Sequence, residues 1–205
     1  MIPTSLRIEN RGFTLIELLV AMGLGLVVLG AVLKVFVSQN RTNAAQQEVA
    51  YAQQNVRAAM DLMVREIRNA GYDPEDNGFE AIKTATSSSI RILSNLSGDD
   101  EAGDPNDPNE DVTYTVNGSG QLTRSGSRMV DFVTNLQFGY VLKDGTVLDP
   151  PGAALTAAQR ADVRTVIIRL GIRTENPDRD TGQFRNRNLV SRVRIRNMGF
   201  QDIET

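Results

Sequence analysis

Side chains able to do chemistry are scarce in this sequence. It has no histidine and no cysteine, so the commonest general base, the thiolate nucleophile and cysteine-based metal sites are all missing. Carboxylate, lysine and serine chemistry remains. There is, however, no Gly-rich phosphate loop ending in Lys-Ser/Thr and no nucleophile elbow. No enzyme is expected, and no cofactor. The carboxylate that stands out is Glu17. From Phe13 to Val37 the chain is nearly all apolar, and Glu17 and Lys34 are its only formal charges. A run of about twenty apolar residues crosses a bilayer as a helix. A carboxylate there costs several kcal/mol, so Glu17 needs a reason to be present.

Two further regions carry concentrated charge. Between Asp73 and Asp111 eleven acidic residues face only Lys83 and Arg91, and between Arg160 and Arg196 ten arginines face Asp162, Glu175, Asp178 and Asp180. The acidic stretch from Asp99 to Asp111 offers oxygen ligands of the kind calcium prefers, with Asp99, Asp100, Asp104 and Asp107 as the candidates. Pro105 and Pro108 break the twelve-residue EF-hand spacing, so a solvated loop is the reading and no metal is expected. The arginines offer electrostatic attraction to nucleic acid. Alternating arginine on strands is also what a plain solvent face looks like, and no aromatic residues interleave with it. Nucleic-acid binding is not expected.

These residues need elements to position them. The apolar run from Phe13 to Val37 reads as a helix, and the helical pattern continues past it. Ala45, Val49, Ala52, Val56, Met60, Met63, Ile67 and Ala70 recur at spacings of three and four and form one stripe. Gln46, Gln47, Gln53, Gln54, Arg57, Asp61, Arg65 and Arg68 occupy the other side, with Asp61 and Arg65 spaced to pair. Gly71 suits the position after a helix, and Pro74 blocks continuation. One helix from about Thr14 to Ala70 is predicted, roughly 85 Å long at about 1.5 Å per residue. Gly23, Gly25 and Gly30 lie in its apolar half. They fit either close packing by small residues or local softening.

Beyond Tyr72, short alternating runs separated by turns predict an antiparallel sheet packed on the upper helix. The strand markers are Ile90 and Ile92; Val112, Tyr114 and Val116; Leu122 and Thr123; Leu136, Phe138, Tyr140 and Leu142; Val166, Ile168, Leu170 and Ile172; and Val193 and Ile195. Turns fall at Asn117–Gly120 and Lys143–Thr146. The fold class is therefore α+β.

Residues 12 to 20 read Gly-Phe-Thr-Leu-Ile-Glu-Leu-Leu-Val, and this segment resembles the type IV prepilin signal. A conventional secretory signal has a shorter apolar core and a cut behind it, not ahead of it. The resemblance implies cleavage by prepilin peptidase between Gly12 and Phe13 and N-methylation of Phe13. It also implies an assembly role for Glu17, which attracts the Phe13 amine of a neighbouring subunit. The helix end, Arg65-Glu66-Ile67-Arg68-Asn69-Ala70-Gly71-Tyr72, resembles the PilW group of minor pilins, with Glu66 in place of the usual Asp. Pseudopilin J of type II secretion has a similar layout.

The organisation this implies is a leader (1–12), a membrane or filament-core helix (13–37), the amphipathic half of the same helix (38–71) and a β-rich periplasmic domain (72–205). Arg7 and Arg11 place the leader in the cytoplasm by the positive-inside tendency. By resemblance, the protein helps to initiate or cap a type IV pilus, a fibre of adhesion and twitching motility. Its partners are then other minor and major pilins, prepilin peptidase, the inner-membrane assembly platform and inner-membrane lipid. A type II secretion pseudopilin and a DNA-uptake pilin are the alternative readings.

Overall fold

The fold was obtained as a computed structural model, which describes residues 12–76, 78–98, 109–178 and 181–198. Helix α1 (Leu15–Asn69) is followed by strands β1 (Ile82–Ala85), β2 (Ile90–Leu93), β3 (Asp111–Val116), β4 (Leu122–Arg124), β5 (Ser127–Val130), β6 (Val133–Leu142) and β7 (Val147–Leu148). A short helix α2 (Ala157–Asp162) precedes β8 (Val163–Arg173) and β9 (Asn186–Arg194). The chain divides into two compact units, residues 1–46 and 47–205.

In the first unit, α1 exposes every apolar side chain from Leu15 to Val37. Its most apolar stretch of 18 residues has a mean hydropathy of 2.5, with none of it buried. Length and composition suit a membrane span.

The second unit has its own core. Ala52, Val56, Ala59, Met60, Met63, Ile67 and Ala70 are buried from the helix side. The predicted stripe is thus the buried face, although Ala45 and Val49 are only half-buried and Ala59 joins it. Asp61 and Arg65 are exposed, and among the described residues they form no ion pair with each other; solvent holds both charges more cheaply than a fixed geometry does. Gly71 ends the helix at φ +73, where a side chain is strained, and a Cβ there would meet Ala81 Cβ at 2.8 Å.

The expected single sheet is two. Strands β1-β2-β3-β4-β5 form one antiparallel meander, sheet A, and β7-β6-β8-β9 form a second antiparallel sheet, sheet B. The division falls at Asp131–Phe132, where Phe132 has φ +58, a conformation that ends strand pairing and redirects the chain. Strands β1, β5 and β7 are four residues or fewer, too short to show periodicity. Helix α2 begins with a capping box between Thr156 and Gln159, a Thr-x-x-Gln signal that is present in the sequence.

The alternating strands face inward as predicted. Tyr114, Leu122, Phe138, Tyr140, Val166, Ile168, Leu170, Ile172, Val193 and Ile195 are all buried. The sheets are tied by Phe138 N to Ser87 O at 2.8 Å and by the Tyr140 hydroxyl, which donates to Thr86 O at 2.8 Å. Burial pushes the Tyr140 phenol well above its ordinary range.

A fragment beginning at Ser38 keeps this entire core and sheds the exposed apolar span. It should be a soluble, folded monomer without detergent. Met63 and Ile67 are completely buried, so Met63→Asp or Ile67→Asp places a carboxylate where no partner waits, at a cost of about 4 kcal/mol or more. Thermal melts followed by circular dichroism should show the cooperative transition lost or shifted far down. A Met63→Asp fragment that melts like its parent would contradict the helix-face assignment.

Candidate functional site

The amino-terminal end of α1 carries the residues singled out in the sequence. Gly12 and Phe13 are both exposed, Phe13 at 87%, and among the described residues nothing lies within 4 Å of a Cβ built on Gly12. A protease can therefore reach the bond between them. Phe13, Ile16, Glu17, Val20, Ala21 and Leu24 line one shallow surface groove along the helix. Glu17 is thus the polar element of an otherwise apolar stripe, about one turn from the Phe13 nitrogen.

Glu17 also has a local partner that the sequence analysis overlooked. Its carboxylate accepts from Thr14 N and from Thr14 Oγ1, both at 2.9 Å. Its own N–H donates to Thr14 Oγ1 at 3.3 Å. This is a capping box: Thr14 and Glu17 satisfy each other's backbone donors at the start of the helix. The Thr-x-x-Glu spacing ahead of an apolar run was the signal for it. The carboxylate also lies in the first turn, where the helix dipole favours negative charge.

Asp99, Asp100, Asp104 and Asp107 lie outside the described residues. Asp111, where that segment ends, pairs with Arg91 through Nε at 2.9 Å. Glu110 accepts from Leu96 N at 2.6 Å, Ser97 N at 2.8 Å and Ser97 Oγ at 2.9 Å. Among the described residues no group of three or more carboxylates converges as a metal site. A cleft of about 710 Å³ beyond the helix end is lined by Tyr72, Asp73, Asp76, Arg160 and Asn197, among others. Arg160 is committed within the fold: Nε donates to Ile82 O and Nη1 to Leu155 O, each at 3.0 Å.

Glu66, the departure at the helix end, joins α1 to sheet A. It accepts from the Tyr114 hydroxyl, from Arg124 Nε at 3.0 Å and pairs with Arg124 Nη2 at 2.9 Å. Burial, reinforced by Glu66, pushes the Tyr114 phenol well above its ordinary range. Arg124 is held above its ordinary range by its hydrogen bond and charge pairing to Glu66, against the desolvation that opposes it. The Arg124 and Glu66 side chains are each 18% exposed. Glu66→Gln leaves a largely buried guanidinium without its countercharge, at about 2 kcal/mol. The fragment's Tm should fall by roughly 4–8 °C. Tyr114→Phe should cost less, about 1 kcal/mol. Equal Tm for Glu66→Gln and its parent would exclude this coupling.

A long helix with an exposed apolar span, joined to a helix half packed on antiparallel sheet, is the α+β arrangement of a type IV pilin-like protein. Residues 9–33 match the prokaryotic N-terminal methylation motif, which makes this a prepilin-like, membrane-anchored, pilin-type subunit. Residues 45–166, more than half of the chain, match the family described as prepilin peptidase-dependent protein B, and the chain belongs to that family. No curated protein matches it.

Proposed function

We propose that the protein is a PilW-like minor pilin that helps to initiate or cap a type IV pilus. The observation that carries this reading is the pairing of the methylation motif over residues 9–33 with a wholly exposed apolar helix face. Such a face needs lipid or other helices to cover it. Prepilin peptidase removes residues 1–12 and methylates the Phe13 amine. The protein then waits in the inner membrane as a single-pass anchor, amino terminus in the cytoplasm and residues 72–205 in the periplasm. It moves from there into the filament, at its tip.

Entry into the filament bundles apolar helices, and Glu17 attracts the Phe13 ammonium of a neighbouring pilin. In that low-dielectric setting the attraction exceeds its value in water, while desolvation offsets much of it. The pair therefore sets register more than stability. The role is structural, without catalysis or cofactor. The partners are other minor and major pilins, the peptidase and the inner-membrane assembly platform.

Deleting the gene tests this reading. Pilus number per cell should fall several-fold by electron microscopy and return on complementation, with immunogold label at filament tips. Normal piliation with loss of type II secretion would reassign the protein to a secretion pseudopilus.

A further inference from the structure

Strand β9 is an outer strand of sheet B, and its free edge has a definite pattern. Thr174 N donates to Arg185 O, and Ile195 N donates to Arg164 O. The register between these two points is unbroken. Odd-numbered residues of β9 therefore spend their backbone groups on β8, and the even-numbered ones turn theirs away from it. Asn188, Val190, Arg192 and Arg194 so present outward N–H and C=O groups that make no other backbone bond among the described residues. At Arg196 the fold closes the row itself, because Arg196 N donates to Arg68 O of α1. Among the described residues the edge is open from Arg194 back to Asn186.

The side chains of these residues share the outer face of the sheet. Val190 is 63% exposed there, beside exposed Arg192 and Arg194. At the far end Arg173 stacks over Phe132 and over Phe184, the latter with its centroid at 3.9 Å, and Phe184 remains 41% exposed. Arg169, which pairs with Asp149, sits across from Val190 on β8. A Cβ on Gly139 would overlap that Asp149 carboxylate, so the absence of a side chain there lets the ion pair lie flat on the sheet. The exposed row thus has an apolar centre, an aromatic at one end and Arg192 and Arg194 at the other, which form no salt bridge among the described residues, although the Arg192 charge acts on the nearby Asp149 carboxylate. Aromatic residues and arginine are the types enriched at protein interfaces.

We infer that the β9 edge is a docking site for an extended acidic segment of another protein, taken up as an added antiparallel strand with carboxylates facing Arg192 and Arg194 and an apolar residue facing Val190. Strand addition supplies the backbone bonds, and alternate side chains supply specificity. Charge complementarity selects an acidic partner. A second copy is disfavoured, since two such edges bring arginine rows alongside each other. Charged edges also discourage pairing of sheets in general. Here every one of the ten cations between positions 160 and 196 is arginine and none is lysine. The weakly hydrated, planar guanidinium is the group suited to bidentate carboxylate pairing. The inference rests on sheet B alone and holds whichever filament the protein joins.

The test uses the full chain in neutral detergent micelles and labelled peptides, read by fluorescence anisotropy. A Thr-Glu-Thr-Glu-Thr-Val-Thr peptide should bind at least tenfold more tightly than one of the same composition with its glutamates adjacent. Replacing Arg192 and Arg194 together by Glu should weaken binding at least tenfold while leaving the circular dichroism spectrum unchanged. N-methylating the peptide amides that face β9, with the protein untouched, should abolish it. Equal binding of both peptides, or indifference to N-methylation, would overturn strand addition. Tighter, Arg192-dependent binding of a single-stranded oligonucleotide would overturn the acidic-protein partner in favour of nucleic acid.

Discussion

Protein recovered from a host with an active prepilin peptidase should begin at an N-methylated Phe13, and the chain starting at Met1 should be absent. The amino-terminal peptide should carry the mass of the stretch starting at Phe13 plus one methyl group. The expectation rests on the methylation motif over residues 9–33 and on the exposure of Gly12 and Phe13. A peptidase must bind the chain on both sides of the bond, and among the described residues nothing crowds Gly12. Substitution at Gly12 by anything larger than Ala should leave most of the protein uncut, because a small residue is what the cut position of such a signal requires. The effect should be close to all-or-none by immunoblot. The folded part should be indifferent, since Gly12 contributes nothing to the core, and the Tm of detergent-solubilised Gly12→Leu should equal that of its parent. Mature protein that still starts near Met1 in a competent host would end the prepilin reading.

The helix was legible in the sequence because two signals agree along it. The apolar run is continuous where α1 is exposed, and the pattern turns to period 3.6 where burial begins at Ala52. The longer strands were legible for a similar reason: β3, β6 and β8 carry buried apolar residues at every second position, as at Val112 and Tyr114, at Leu136, Phe138 and Tyr140, and at Val166, Ile168, Leu170 and Ile172, although Ile167 is buried on the other face of β8. The number of sheets was not. It depends on whether β5 continues into β6, and that is decided by a backbone reversal at Phe132, which no residue type announces. Short strands such as β7 exist only because a neighbour supplies the pairing, so their cause lies elsewhere in the chain.

At the site, a carboxylate inside an apolar run marked Glu17, and the resemblance to the prepilin signal implied Gly12 and Phe13, but Glu17 was left with a single role. The capping box shows it engaged with Thr14 before any neighbour arrives. Glu66 was noticed only as a departure from a pattern. Its extra methylene has a visible use, since the side chain reaches both Tyr114 and Arg124 across the helix–sheet boundary. Such long-range polar contacts join positions 48 and 58 residues apart, beyond any local pattern.

The two roles of Glu17 make its replacement by Gln a clean experiment. Gln is accepted at the third helical position of a capping box, so Glu17→Gln keeps the bond to Thr14 and the start of the helix while removing the charge. Cleavage after Gly12 should survive, and the mutant should accumulate in the membrane. Assembly should suffer, because the ammonium of the neighbouring Phe13 then enters an apolar bundle without a countercharge. Leaving a charge unpaired in such a setting costs about 3 kcal/mol or more, enough to reduce incorporation on the order of a hundredfold. Glu17→Ala removes the cap as well and should be at least as severe. A minor subunit makes few such contacts per filament, so the decisive measurement is incorporation of the mutant itself. Sheared filaments from a strain carrying only the Glu17→Gln copy should lack it by immunoblot, while the membrane fraction holds the cleaved form. If cleaved Glu17→Gln enters filaments as well as its parent does, the carboxylate serves the helix cap alone.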